Sequence, residues 1–119
     1  MPKKHYVDYL DNNLRLRTFL SVKKGKIYSF CIQLEWVEWK TYPFGIEEEI
    51  ESIVRFDHES GGKHDVEVEG LHMDIYKKGK NRKYKVEEKF PRKSLNEYPK
   101  YCILYVQDNI KSILRRFLQ

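Results

Sequence analysis

Leu14-Arg15-Leu16-Arg17-Thr18-Phe19-Leu20-Ser21-Val22, followed by the turn Lys23-Lys24-Gly25-Lys26 and then by Ile27 to Trp39 (IYSFCIQLEWVEW), is the stretch that decides the fold. Leu14, Leu16, Thr18, Leu20 and Val22 alternate with Arg15, Arg17 and Ser21. Successive side chains of a strand point to opposite faces, so this is a strand with one apolar side. The second run repeats the pattern, with Tyr28, Phe30, Ile32, Leu34 and Trp36 set against Ser29, Gln33 and Glu35. A short glycine-containing turn between two such runs predicts an antiparallel hairpin.

The same reading extends outward in both directions. Upstream, Tyr6, Tyr9 and Leu10 in His5–Asn13 share an i, i+3, i+4 face, which predicts a turn or two of helix ended by Asn12-Asn13. Downstream, Thr41-Tyr42-Pro43-Phe44-Gly45 punctuates the chain. Ile46–Phe56 then resumes alternation through Ile50, Ser52, Val54 and Phe56. After Gly61-Gly62, Lys63–Tyr76 reads as a strand that opens on Val66 and Val68 and is bent at Gly70. Lys77-Lys78-Gly79-Lys80 is a second lysine–glycine turn, and Asn81–Glu88 a short lysine-rich strand suited to a sheet edge.

Pro91 closes the sheet region. Ser94 and Asn96 are both candidate N-caps, and Pro99 belongs in a first helical turn, where a missing N–H costs nothing. Ile103, Val106, Ile110, Ile113, Leu114 and Phe117 form a helical stripe with Lys111, Arg115 and Arg116 beside it. The expected architecture is therefore α+β: a mostly antiparallel sheet of about five strands packed against a C-terminal amphipathic helix.

The chain's 119 residues suit a single domain spanning 1–119, since domains most often run about 100–150 residues. Apolar runs are only a few residues long and no apolar stretch follows Lys3-Lys4. Neither a membrane span nor a signal peptide is expected, which predicts a cytoplasmic protein. Cys31 and Cys102 then read as reduced, buried thiols. The absence of alanine and the abundance of Lys, Glu, Ile and Tyr resemble thermophile usage.

Net charge is +5, but it is segregated. Between Glu47 and Asp74, ten acidic residues face only Arg55 and Lys63. Between Lys77 and Lys100, ten basic residues face Glu87, Glu88 and Glu97. Adjoining blocks of opposite sign serve pairing within the fold, pairing across a homodimer, or contact with phosphates. On the last reading Lys77, Lys78, Lys80, Arg82, Lys83 and Lys85 bind nucleic acid.

The densest set of chemically competent side chains is Arg55, Asp57, His58, His64, Asp65, His72, Asp74 and Tyr76. Guanidinium binds phosphate bidentately, which makes Arg55 a candidate phosphate clamp. Histidine is the usual general acid or base near neutral pH, which points to His64 and His72, with Asp57 to orient them. His72 and Asp74 are two apart on a strand and would hold a divalent metal from one face. Trp36, Trp39, Tyr42 and Phe44 suit core, dimer contact or base stacking. There is no glycine-rich phosphate loop, G-x-S-x-G elbow or H-E-x-x-H sequence.

Ile53-Val54-Arg55-Phe56-Asp57-His58, followed by Gly62, His64, His72, Asp74 and Tyr76, resembles small uncharacterised prokaryotic proteins related to the TumE-type toxins of toxin–antitoxin pairs. The matching residues are Arg55, Asp57, His64 and His72, with Asp65–Gly70 inserted between the two histidines. The resemblance implies a toxin-like or RNA-directed role and a cognate antitoxin protein. His72-Met73-Asp74 also resembles the metal-binding strand of rolling-circle replication initiators, with aspartate for the second histidine. That likeness implies a DNA-nicking tyrosine, Tyr101 or Tyr105. A third expectation is a non-enzymatic, dimeric nucleic-acid-binding module.

Overall fold

The computed structural model describes residues 2–119. Strands β1 (Lys3–Asp11), β2 (Leu14–Lys23), β3 (Lys26–Tyr42) and β4 (Gly45–Glu59) form an antiparallel meander. A four-residue helix α1 (Val66–Glu69) leads to β5 (Met73–Ile75) and β6 (Lys85–Glu87). One turn of 3₁₀ helix (Leu95–Glu97) then introduces α2 (Tyr98–Asp108) and α3 (Ile110–Leu118). The six strands lie in the order β1-β2-β3-β4-β5-β6, each antiparallel to its neighbour.

The α+β architecture is as the alternation predicts, and the first three connections are two-residue turns. At Lys24-Gly25 both residues take positive φ, 51° and 76°. That is the turn whose twist matches the strands it joins, and glycine meets its second position without steric cost.

Four expectations change. The sheet has six strands rather than about five. His5–Asn13 is not helical: its first seven residues lie in edge strand β1, because Tyr6 and Val7 find Thr18 and Arg17 of β2 as partners. Lys63–Tyr76 is not a continuous strand. Asp65 caps α1 by accepting from the Glu67 N–H, and Gly70, at φ +83°, ends that helix and sends the chain back into β5. Finally, the C-terminal helix is divided at Asn109, whose side chain donates to the Tyr105 carbonyl at 2.8 Å. Neither Ser94 nor Asn96 caps α2. Asn96 instead bridges to the β2–β3 turn through Ile27 N–H and Gly25 C=O.

The helices α2 and α3 cover one face of the sheet. Leu14, Leu16, Phe30, Ile32, Leu34, Val54, Phe56, Met73 and Ile75 pack against Tyr98, Cys102, Val106, Ile113 and Phe117 of the helices. The expected stripe holds at Val106, Ile113 and Phe117, with Ile103, Ile110 and Leu114 at its margin. A bulge at Ile53 lets Ile53 and Val54 both bury. No helix among the described residues is long and apolar enough to cross a membrane.

Candidate functional site

The strand register assembles the site on the face away from α2 and α3. Arg55 of β4 lies between Gln33 of β3 and Asp74 of β5, and Asp57 lies opposite Cys31. Their neighbours Phe56 and Met73 are buried in the core. Period-two alternation therefore turns Arg55, Asp57 and Asp74 to the other side.

The segment after β4 brings the histidines. Asp65 ties the loop by accepting from the Gly61 N–H (2.9 Å) and the Glu67 N–H (2.9 Å). Those two donors, together with the Val68 N–H, hold its carboxyl below the usual range. His58 lies beneath the loop, 3% exposed. Its Nδ1 accepts from the Val66 N–H at 3.0 Å, its Nε2 meets Ser60 Oγ at 2.9 Å, and its ring stacks on Phe30. Burial pushes its pKa down, so His58 is a neutral strut anchoring α1.

With α1 fixed, Glu69 stands between the other two histidines. His64 Nδ1 is 3.4 Å and His72 Nδ1 3.8 Å from the same Glu69 Oε1. His64 is largely exposed and His72 half-buried. Asp57, His64, Glu69, His72, Asp74, Lys83 and Glu88 line a cleft of about 130 Å³. That is well below the roughly 300–1,000 Å³ of a drug-sized pocket, and four of its lining side chains, Asp57, Glu69, Asp74 and Glu88, are carboxylates against the one cation Lys83. Arg55 donates Nε to both Asp57 oxygens, at 2.8 and 3.0 Å. Arg55, Asp57, Lys63 and His64 line an adjoining hollow of about 480 Å³, so Asp57 and His64 stand between the two.

The four candidate catalytic residues, Arg55, Asp57, His64 and His72, thus come together, with one change of role. The carboxylate between the histidines is Glu69, and Asp57 is engaged by Arg55. Glu69 has no sequence signal of its own, since it is the last residue of α1 and meets His72 only because the chain turns back at Gly70. His72 and Asp74 flank the cleft, where Lys83 Nζ takes Asp74 at 3.3 Å. Among the described residues no three His, Cys, Asp or Glu side chains are arranged to hold a metal ion.

The basic segment divides. Lys77, Lys80, Arg82, Lys83 and Tyr84 line a hollow of about 560 Å³ that adjoins the cleft at Lys83. Lys85 is an exposed residue of edge strand β6. Lys78 is diverted to Glu38, 2.7 Å away, and lies over the Trp36 ring. Tyr101 and Tyr105 belong to an aromatic cluster with Phe56 and Phe90 on the helix side, so the sheet separates them from His72 and Asp74. Trp39, Tyr42 and Phe44 are exposed on the projecting β3–β4 hairpin and do not line the cleft. Both thiols are free, and burial pushes Cys31 up to about 12, which leaves it protonated.

The same face carries a second charged cluster, around β2 and β3. Arg15 Nε meets Glu35 at 2.6 Å, Arg17 Nε meets its other oxygen at 3.2 Å, and Gln33 donates to it as well. Arg15 also donates to the Tyr9 hydroxyl at 3.0 Å and lies 3.4 Å from Glu48. Both Arg15 and Glu35 are under 5% exposed.

No curated protein and no solved structure matches the chain. Residues 1–119 match the family described as Domain of unknown function (DUF7718), and the chain belongs to that family.

Proposed function

We propose that this member of the DUF7718 family is an RNA-directed phosphodiesterase of toxin type, in which His64 and His72 act as general base and general acid. The observation that carries this reading is the pair of imidazoles set on one carboxylate, Glu69, in a cleft that adjoins the lysine-lined hollow at Lys83. Two accessible histidines side by side suit transfer of one proton out of and one into the reacting group, the usual work of histidine as general base and acid. Arg55 and Lys83 are the cations at the two sides of the cleft, held by Asp57 and Asp74, and a phosphate that competes with those carboxylates would gain their charge on the way to the transition state.

The chemistry closes without an outside reagent. One histidine takes the proton of the ribose 2′-hydroxyl, whose oxygen attacks the adjacent phosphorus. The bond from phosphorus to the 5′-oxygen breaks, and the second histidine protonates that oxygen. The products are a 2′,3′-cyclic phosphate and a 5′-hydroxyl. Glu69 orients both rings, and Asp57 holds the Arg55 fork. Lys77, Lys80 and Arg82 extend positive charge from Lys83 along the path of the backbone. The likeness to TumE-type toxins, carried by Arg55, Asp57, His64 and His72, supports RNA as substrate and a cognate antitoxin as partner.

The test is incubation of end-labelled RNA and single-stranded DNA with the full chain in the presence of a chelator. RNA cut to cyclic-phosphate ends, with DNA intact, is the expected result. Intact RNA, with or without added divalent metal, overturns the proposal. The second reading, binding without catalysis, rests on the Lys77–Tyr84 hollow. It predicts salt-dependent affinity for RNA that survives His72→Ala and is accompanied by no cleavage.

A further inference from the structure

We infer that strand β1 is the interface of a homodimer, in which two copies pair antiparallel edge to edge about a two-fold axis at Val7 and join their sheets into one. The two edges of the sheet are built differently. β6 is three residues long, with lysine at one end. That is how natural sheets blunt a free edge. β1 is nine residues long and every one of them is exposed, including Tyr6, Val7, Tyr9 and Leu10.

The backbone of β1 is set to receive a partner. The Pro2 carbonyl accepts from the Val22 N–H of β2 at 3.0 Å. Alternation along an antiparallel ladder then directs the polar groups of Lys4, Tyr6 and Asp8 toward β2. Those of Lys3, His5, Val7 and Tyr9 point outward. Left unpaired, they are a template for another strand.

The side chains specify a second copy of the same strand. β1 reads Lys3-Lys4-His5-Tyr6-Val7-Asp8-Tyr9-Leu10-Asp11, basic at its start and acidic toward its end. A two-fold axis requires a patch that complements itself. Antiparallel pairing centred on Val7 places His5 opposite Tyr9 and Tyr6 opposite Asp8. Lys4 then faces Leu10, with Asp8 on its diagonal. The regular part of the strand, up to the bulge between Tyr9 and Asp11, pairs in this register, and each end of the interface gains a Lys4–Asp8 diagonal of opposite charge. An unrelated acidic or basic peptide meets like charge at one end or the other.

The inference is independent of the proposed cleavage, since the cleft lies among β4, β5 and the loop between them. The test is sedimentation of the full chain at several concentrations. Wild type is expected to run at twice the 14.5 kDa chain mass. Val7→Pro is expected to run as a monomer with an unchanged far-ultraviolet spectrum, since the N–H that it removes points away from β2. Val7→Lys, which sets two ammonium groups face to face on the axis, is expected to do the same without a backbone change. Lys4→Asp should raise the dissociation constant roughly tenfold, and adding Asp8→Lys should restore it. A wild-type monomer at about 100 µM, within the µM-to-mM range of weak association, overturns the interface. So does dimerisation that survives Val7→Lys. Failure of the charge swap to restore affinity overturns the register.

Discussion

Two charged clusters share the uncovered face of the sheet, and they differ in how completely they are sealed. Around Arg15 and Glu35 the charges are under 5% exposed, and both Glu35 oxygens are occupied by Arg15, Arg17 and Gln33. Burial alone would raise the Glu35 pKa and lower that of Arg15. The bonds from Arg15, Gln33 and Arg17 outweigh it at Glu35, and those to Glu35 and Tyr9 outweigh it at Arg15. Around Glu69 the contacts are looser, 3.4 and 3.8 Å, and the histidines are reachable from solvent. The difference teaches which cluster holds the fold and which is free to meet a ligand: the first is closed to solvent, with the Glu35 carboxylate fully engaged and, among the described residues, only the buried Arg15 Nη2 left without a partner, whereas the second is open and half-satisfied.

The largest expected effect falls on the sealed cluster. Glu35→Ala leaves the Arg15 guanidinium buried without its main partner and should cost about 3–5 kcal/mol. Chemical denaturation would show it as a lower midpoint at unchanged slope. The matching change in the open cluster, Glu69→Gln, should leave the midpoint within the precision of the measurement. Its expected cost is in rate, a loss of about 10–100-fold in RNA cleavage, as for the outer partner of a working histidine. If Glu69→Gln proves as destabilising as Glu35→Ala, the contrast between the clusters fails.

A smaller effect concerns pH. His58 is pushed below its ordinary 6.5 by burial, so the unfolded chain binds a proton that the folded chain resists. Its contribution to stability is therefore full above about 6.5 and is lost as pH falls below that value. Glu35, also lowered in the fold, adds a second loss that begins as pH falls below its ordinary 4.5. Midpoints measured from pH 7.5 to 5, in wild type and His58→Gln, should converge as pH falls. Parallel curves would remove His58 from the account. The smallest effect belongs to the basic hollow. Lys80→Gln should reduce the salt slope of RNA binding by about 1, while Lys78→Gln, diverted to Glu38, should leave it unchanged.

The covered face was largely legible in the sequence. Leu14–Val22 and Ile27–Trp39 alternate so regularly that strand, turn and inward residues follow from period alone. The uncovered face was not. Arg15 and Glu35 read as the solvent side of that alternation, and nothing local in the chain marks them as buried, since Tyr9, Glu48 and Gln33 seal them only through the register. Tyr6, Tyr9 and Leu10 fit a helical face as well as a strand, and pairing with β2 decides between them. At the cleft the histidines, Arg55 and Asp57 stood out by residue type. Glu69 did not, because Val66 and Val68 gave Lys63–Tyr76 a strand's look and hid the one turn of helix that places the carboxylate.

The most direct test of the distinction is single-turnover cleavage of a labelled RNA by wild type and by His72→Ala, alongside their denaturation midpoints. The account predicts a loss of about 10²–10⁴-fold in rate, the usual contribution of a positioned acid or base, with an unchanged midpoint. Equal rates in the two proteins, or a loss matched by a fall in stability, would contradict it.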